Sequence, residues 1–237
     1  MSAYSDTTIQ QEYPNRWPKA TAWKQSPAGN THHAPADIMT FPAFFNAIPA
    51  IIMQDPLAQL LGAADAGLIE YTYADTVKLA GHSCPTVAGA YLMTTKALKR
   101  LYPDQPPLRG GIKVQFRDSQ AKGVTGVIAN VTSFITGATT DNGFKGIRGK
   151  HDRRNLLFFD VPIQGDIRFE RLDTGASVTV SFDASQVPSA PELMPSLLAA
   201  TGDNPDPAQQ ERFAQAWQDR VRRIFEQADQ PGLVQFY

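Results

Sequence analysis

Cysteine is almost absent from this chain of 237 residues, which contains Cys84 and no other. A single cysteine cannot form a disulfide within the chain, so the cysteine content does not point to an oxidising compartment. No apolar run approaches the roughly 18 residues that a membrane helix requires, and residues 1–18 lack the apolar stretch of a signal peptide. We therefore expect a cytoplasmic protein with no membrane segment.

A surplus of charge is also missing. The chain has 22 basic and 23 acidic side chains, which gives a net charge of −1. Proteins that bind nucleic acid usually carry a clear basic surplus, so we expect no nucleic-acid partner. A hydrophobic content of 42% with 19% charged residues is typical of a folded globular protein rather than a disordered one.

Hydrophobic periodicity and turn residues predict an α+β fold. Strands are predicted at 68–73, 112–117, 155–161, 167–172 and 177–182, the last three as an antiparallel meander. Helices are predicted at 40–45, 55–62, 86–101, 190–200 and 207–228. Residues 124–136 fit a strand by their β-branched content and a helix by their length and apolar spacing.

Three parts follow from these patterns: an irregular N-terminal arm (1–36), an α+β domain (37–185) and a C-terminal helical extension (186–237). The arm carries two tryptophans, so it either packs on a surface or forms a flexible tail. In the extension, an apolar stripe runs along 207–228 at helical spacing. This stripe either covers the core or pairs two copies of the chain as a homodimer.

The segment Gly81-His82-Ser83-Cys84-Pro85 is the strongest functional candidate. Pro85 suits the first turn of the helix that follows, which places Ser83 or Cys84 at its cap. A helix N-terminus offers free N–H groups and the positive end of the helix dipole, and both favour a thiolate.

A thiolate and an imidazole two residues apart suit zinc or another transition metal, but zinc takes three or four protein ligands. The other histidines are His32, His33 and His151, of which we select His151 as the third candidate ligand with His82 and Cys84. Asp118 and Asp141 are carboxylates in predicted loops. A buried cysteine beside a helix-capping histidine, without metal, is the alternative interpretation.

The Gly-His-Ser-Cys-Pro segment opening an Ala-rich helix resembles the signature of the FmdE family, which is named after a component of formylmethanofuran dehydrogenase. Residues 136–139 (Thr-Gly-Ala-Thr) are similar to that family's Thr-Gly-Cys-Thr turn, and the resemblance spans roughly residues 75–160. It implies a mixed or antiparallel sheet with helices packed on one side, and it favours a helix at 124–136. It also implies that His82 and Cys84 are metal ligands, with zinc the usual metal.

Three positions depart from the family pattern. Val127 and Ala138 stand where the family has cysteines, and Asn130 stands where it has an aspartate. A thiolate-rich site is therefore excluded, and any metal is held by His82, Cys84 and nitrogen or oxygen ligands.

The loop 139–154 is rich in glycine and basic residues. Glycines let the backbone approach a ligand closely, and arginines bind phosphate or carboxylate through two hydrogen bonds. Lys145, Arg148 and Arg153 are therefore candidate ligands for a small anionic molecule, although a solvated surface loop explains the same composition. The Gly-x4-Gly-Lys-Ser/Thr order of a P-loop is missing.

Four functions agree with these patterns. The first is a metal-binding protein of the FmdE-like class, and the second is a metal-dependent enzyme of hydrolase or lyase type acting on an anionic substrate. The third is a haem protein, because a Cys-Pro dipeptide with nearby histidines can ligate haem iron. The fourth is an interaction protein with an inert thiol. The sequence leaves open whether the chain is an enzyme.

Overall fold

The computed structural model describes residues 41–237, which form one compact unit. The predicted N-terminal arm and the histidines His32 and His33 lie outside the described residues. The helices are α1 (Pro56–Leu60), α2 (Tyr73–Ala80), α3 (Pro85–Leu101), α4 (Thr125–Thr136), α5 (Leu193–Ala200) and α6 (Pro207–Glu226). The strands are β1 (Ile51–Gln54), β2 (Leu68–Tyr71), β3 (Ile112–Phe116), β4 (Leu157–Phe158), β5 (Ile167–Arg171), β6 (Ser177–Phe182) and β7 (Val234–Phe236).

Two sheets and these helices confirm the α+β class. One sheet has the strand order β4-β3-β5-β6-β7, in which β3 and β4 are parallel and the other neighbours antiparallel. The other is the antiparallel pair of β1 and β2. Alternate residues of β3 are fully buried and those between them half-buried, so one face of the mixed sheet meets the core.

Helix α3 is central to this core. Most of its residues are buried, and its Gly89 lies against the ring of Phe182 on β6 so closely that a Cβ atom would overlap the ring. Val221 and Ile224 on the apolar stripe of α6 are completely buried, so the stripe covers the core at that end. No helix of residues 41–237 is long and apolar enough to cross a bilayer.

The predicted strand at 68–73 is wrong at its end, because β2 stops at Tyr71 and Tyr73 begins α2. Thr72 is the N-cap: its hydroxyl accepts a hydrogen bond from the Asp75 N–H (3.2 Å), and the Asp75 carboxylate accepts one from the Thr72 N–H (3.0 Å). Such a reciprocal capping box stabilises a helix start and outweighs the strand preference of aromatic residues.

The predicted meander is wrong in its first strand. Only Leu157–Phe158 form a strand, and it pairs with β3 in parallel rather than with β5. Asn155 and Asp160 adopt positive φ angles of 56° and 57°, which interrupt an extended run on both sides. The antiparallel pair of β5 and β6 is confirmed.

The remaining differences are at element ends and in two short strands, β1 and β7, which were not predicted. The first short helix is a 3-10 helix at Ala43–Ala47, while Thr40 lies outside the described residues. Helix α5 starts at Leu193 rather than Ala190. The helix at 124–136 is confirmed as α4.

Candidate functional site

The segment 81–85 connects α2 to α3. Helix α2 ends at Gly81 in the left-handed conformation (φ 75°), and α3 begins at Pro85. Proline suits this first position because a backbone N–H here has no partner within the helix, so its absence costs no hydrogen bond. The three residues His82 to Cys84 therefore lie between the end of α2 and the start of α3, which hold the segment on both sides.

Cys84, one of the two cap candidates in the sequence, is the N-cap of α3. Its Sγ accepts a hydrogen bond from the backbone N–H of Val87 at 3.5 Å, and 8% of the residue is exposed. The sulfur thus takes the position that serine, threonine or aspartate oxygens usually take at a helix start. It lies at the N-terminus of a helix of 17 residues, which is the positive end of the helix dipole.

His82 lies on the surface, unlike Cys84. Its ring Nδ1 is 3.0 Å from the carbonyl oxygen of Ala80. If Nδ1 carries the proton and donates to this carbonyl, Nε2 has a free lone pair. A backbone carbonyl that orients the second ring nitrogen is a common arrangement for metal-binding histidines.

Ser83 is held by three side chains that the sequence did not suggest. Its carbonyl oxygen accepts hydrogen bonds from Trp217 Nε1 (2.9 Å) and from Gln218 Nε2 (3.2 Å), both on α6. Its hydroxyl is 2.9 Å from the hydroxyl of Tyr73, the first residue of α2. The motif is therefore fixed from two sides, by the start of α2 and by the C-terminal helix.

Tyr73 is completely buried at the centre of an aromatic cluster. Its ring packs edge-on against Phe45, Tyr91 and Phe225, with centroids 4.6–5.7 Å away. Burial raises the pKa of its hydroxyl, and the hydrogen bond to Ser83 offsets only part of this shift. Tyr73 therefore acts as a neutral hydrogen-bonding group at any physiological pH.

His151 is the third metal ligand that the sequence predicted. Within residues 41–237, no three His, Cys, Asp or Glu side chains form a group that could hold a metal ion. His151 is a half-buried residue with a positive φ of 61° in the glycine-rich loop. Since zinc takes three or four protein ligands, the described part of one chain does not by itself provide a full set.

The three basic candidates in the glycine-rich loop have different environments. Lys145 is exposed and Arg148 is also at the surface, whereas Arg153 is 5% exposed. The Arg153 guanidinium enters the interior and donates to Asp55 Oδ1 at 2.6 Å. The structure therefore does not bring these three cations together at one surface.

Asp55 is the centre of a buried ion triad. Arg109 Nη1 donates to its Oδ2 at 2.9 Å, opposite Arg153, and its Oδ1 also caps α1 through the N–H groups of Leu57 and Ala58. Burial by itself would raise the pKa of Asp55, but the hydrogen bond from Arg109 and the charge of Arg153 outweigh it, so the pKa is lowered. Neither arginine was predicted from the sequence as a partner of Asp55.

A small cavity of about 390 Å³ borders the first turn of α3, at Pro85 and Thr86. Its charged lining consists of Asp118, Asp166 and Lys122. Two carboxylates against one ammonium do not favour an anionic ligand. Arg117 forms ion pairs with both carboxylates from outside the lining.

An α+β domain with a thiol-capped central helix agrees with one known family. The family model described as "FmdE, Molybdenum formylmethanofuran dehydrogenase operon" matches residues 79–231. The chain belongs to the FmdE family. The match extends through α6, well beyond the 75–160 that the motifs suggested, so the helix that contacts Ser83 is part of the family domain. No curated protein matches the chain.

Proposed function

We propose that this FmdE-family protein binds a transition metal, with zinc as the first choice, through Cys84 and His82. The observation that supports it best is the position of Cys84 at the N-cap of α3. There its sulfur accepts a hydrogen bond from the backbone N–H of Val87. Cysteine coordinates transition metals through its sulfur, and an imidazole nitrogen is a second common ligand. His82, two residues away, has one ring nitrogen oriented by Ala80.

Two protein ligands leave coordination positions for others. In this proposal a second copy of the chain or a bound small anion fills them, which agrees with the homodimer and the anionic ligand that the sequence predicted. The metal would supply Lewis acidity at those positions. The segment itself orients the two ligands through the contacts of Ser83 with Tyr73, Trp217 and Gln218.

Elemental analysis of the purified full chain tests this proposal. We expect about one zinc per chain, or one per two chains if the site is shared, and no Soret band. Cys84→Ser should lose the metal but keep its melting temperature in the metal-free state, because serine is a good helix cap and a poor zinc ligand. His82→Ala should weaken metal binding, whereas His151→Ala tests whether a third ligand comes from the loop.

Metal-free wild-type protein, or a Cys84→Ser variant that retains full metal, would contradict the proposal. A Soret band would identify haem as the ligand instead. Light scattering before and after chelation shows whether a second copy takes part, because a shared metal links metal removal to dissociation.

One observation favours a second function, an interaction protein with an inert thiol. Cys84 is buried and its sulfur already has a hydrogen-bond partner in Val87. Under this alternative the protein is isolated without metal, and Cys84 reacts slowly with thiol reagents in the native state and quickly after unfolding.

A further inference from the structure

A large cavity lies on the other side of the aromatic cluster from Ser83. It has a volume of about 900 Å³ and is formed by the chain around β1, by α3 and by α6 with β7. Tyr91 and Phe225, which pack against Tyr73, form part of its wall. A volume of this size is in the range of small-molecule sites in proteins.

Most of the cavity wall is apolar. Phe44, Ile48, Ile51 and Leu92 contribute aliphatic and aromatic surface from three segments of the chain. Such a wall favours an apolar ligand, because binding removes the apolar surface of both from water. It provides few groups that would replace the hydration of a strongly polar ligand.

The charged residues of the wall are mainly cations. They comprise four basic side chains and two acidic ones: Lys96, Lys99, Arg100, Arg222, Glu226 and Asp229. Lys96 is paired with Asp229, and Arg222 with Glu226. Within residues 41–237, Lys99 and Arg100 form no ion pair, and Arg100 lies 4.9 Å from the ring centroid of Phe236. Among the described residues, the wall therefore carries two more cations than anions, and the two cations without an ion pair are exposed on one turn of α3.

We propose that this cavity binds an amphipathic anion, with its apolar body against the walls and its single anionic group, such as a carboxylate, beside Lys99 and Arg100. A neutral apolar ligand would leave the two cations without a counter-charge. A multiply charged, polar ligand such as a nucleotide would have to lose its hydration against the apolar wall. The site is distinct from the His82–Cys84 motif and does not depend on a metal.

Binding of decanoate to the full-length chain tests this proposal, measured by calorimetry below the concentration at which decanoate forms micelles. Decanol, which has the same chain length and no charge, is the matched ligand. We expect decanoate to bind at least tenfold more tightly than decanol. In the double variant Lys99→Gln, Arg100→Gln, this preference should fall to less than threefold while decanol binding stays unchanged.

A second pair of variants separates this cavity from the glycine-rich loop. Lys145→Gln with Arg148→Gln removes two surface cations of that loop, and we expect it to leave decanoate binding unchanged. Ala47→Trp places a large ring at the cavity and should weaken the binding of decanoate and of decanol by more than tenfold. This variant also tests the cavity if the double variant at 99 and 100 unfolds.

Three results would overturn the proposal: no binding of either ligand, equal affinity for decanoate and decanol, or loss of binding in the loop variant rather than in the cavity variant. Addition of a chelator should not change the decanoate affinity. Failure of metal binding by Cys84 and His82 would therefore leave this result intact, and the two proposals are tested separately.

Discussion

Gly110 occupies a position that no other residue can take without displacing the ion triad. Its φ is +78°, and a Cβ atom there would overlap the guanidinium of Arg153. The Arg153 guanidinium packs against the backbone of Gly110 while it donates a hydrogen bond to Asp55. The loop at Gly110 thus supports a cation that comes from the glycine-rich loop.

We expect Gly110→Ala to destabilise the protein by about 3 kcal/mol, since the left-handed backbone costs an L-residue ~1–2 kcal/mol and the displaced Arg153 adds the loss of a buried ion pair. Gly175→Ala is the matched control, because Gly175 has a similar φ of +72° and open space around it. It should cost about 1 kcal/mol. Urea unfolding measures the stability of both variants. An equal decrease in the free energy of unfolding would show that the contact with Arg153 does not contribute to stability.

The charge of Asp55 gives the stability of the protein a specific pH dependence. Its pKa is lower in the folded chain than the ordinary value near 4, so the folded state is stabilised above that value and loses the contribution as the pH falls through the folded pKa. Asp55→Asn removes the charge and keeps the helix cap, because asparagine caps nearly as well as aspartate.

We expect Asp55→Asn to be less stable than the wild type by about 3 kcal/mol at pH 7, as the buried Arg153 and the half-buried Arg109 lose their counter-charge. The difference should shrink as the pH falls from about 4 toward the lowered folded pKa of Asp55, because in this range the unfolded wild-type chain binds the proton more readily than the folded one. Unfolding curves at pH 7, 5, 4 and 3 measure it. A difference that stays constant over this range would mean that the carboxylate charge does not contribute.

At the scale of elements, α6 does more than cover the core. Its Trp217 and Gln218 donate to the Ser83 carbonyl, while Val221 and Ile224 on the same helix are completely buried. The helix therefore has two roles: its C-terminal turns pack the interior, and its central turn fixes the backbone next to Cys84.

We expect Trp217→Phe to loosen the 81–85 segment, because phenylalanine keeps most of the ring packing but cannot donate the hydrogen bond. A lost neutral hydrogen bond costs about 1 kcal/mol, which corresponds to a roughly fivefold higher population of opened segment. The reaction of Cys84 with a thiol reagent in metal-free protein should accelerate by the same factor. Gln215→Ala, at an exposed position of the same helix, should leave the rate unchanged. An unchanged rate in Trp217→Phe would show that the hydrogen bond from the Trp217 indole does not restrain the 81–85 segment.

The elements that the sequence predicted well are those that local physics determines. The Ala- and Leu-rich run after Pro85, the alternation at 112–117 and the apolar stripe of α6 each follow from spacing along the chain. The start of α2 was missed although Thr72 and Asp75 have capping-box spacing, because the apolar and aromatic residues around Tyr71 resemble a strand. Strand β4 was overextended because a positive φ at a non-glycine residue leaves little trace in sequence.

The candidate site was predictable only in part, for a similar reason. Cys84 as a helix cap follows from its place before Pro85. The partners of Ser83 and of Asp55 do not, because Trp217 is 134 positions from Ser83 and Arg153 is 98 positions from Asp55. Contacts at such separations depend on the tertiary fold, which neither composition nor periodicity specifies.

For the whole molecule, the aromatic cluster links the two proposed sites. Tyr73 contacts Ser83 through its hydroxyl and contacts Tyr91 and Phe225, which line the large cavity, through its ring. The His82–Cys84 motif and the cavity thus share one buried wall. The family match from 79 to 231 covers most of the elements that build this wall, including α3 and α6.

The long separation between Ser83 and Trp217 also matters during synthesis. The ribosome makes the chain from its N-terminus at about 5–20 residues per second, so Trp217 is added on the order of ten seconds after Ser83. During this interval Cys84 has already been made, but the helix that fixes its neighbour has not. A nascent chain therefore presents this thiol to metal, or to oxidants, before α6 can pack against the segment.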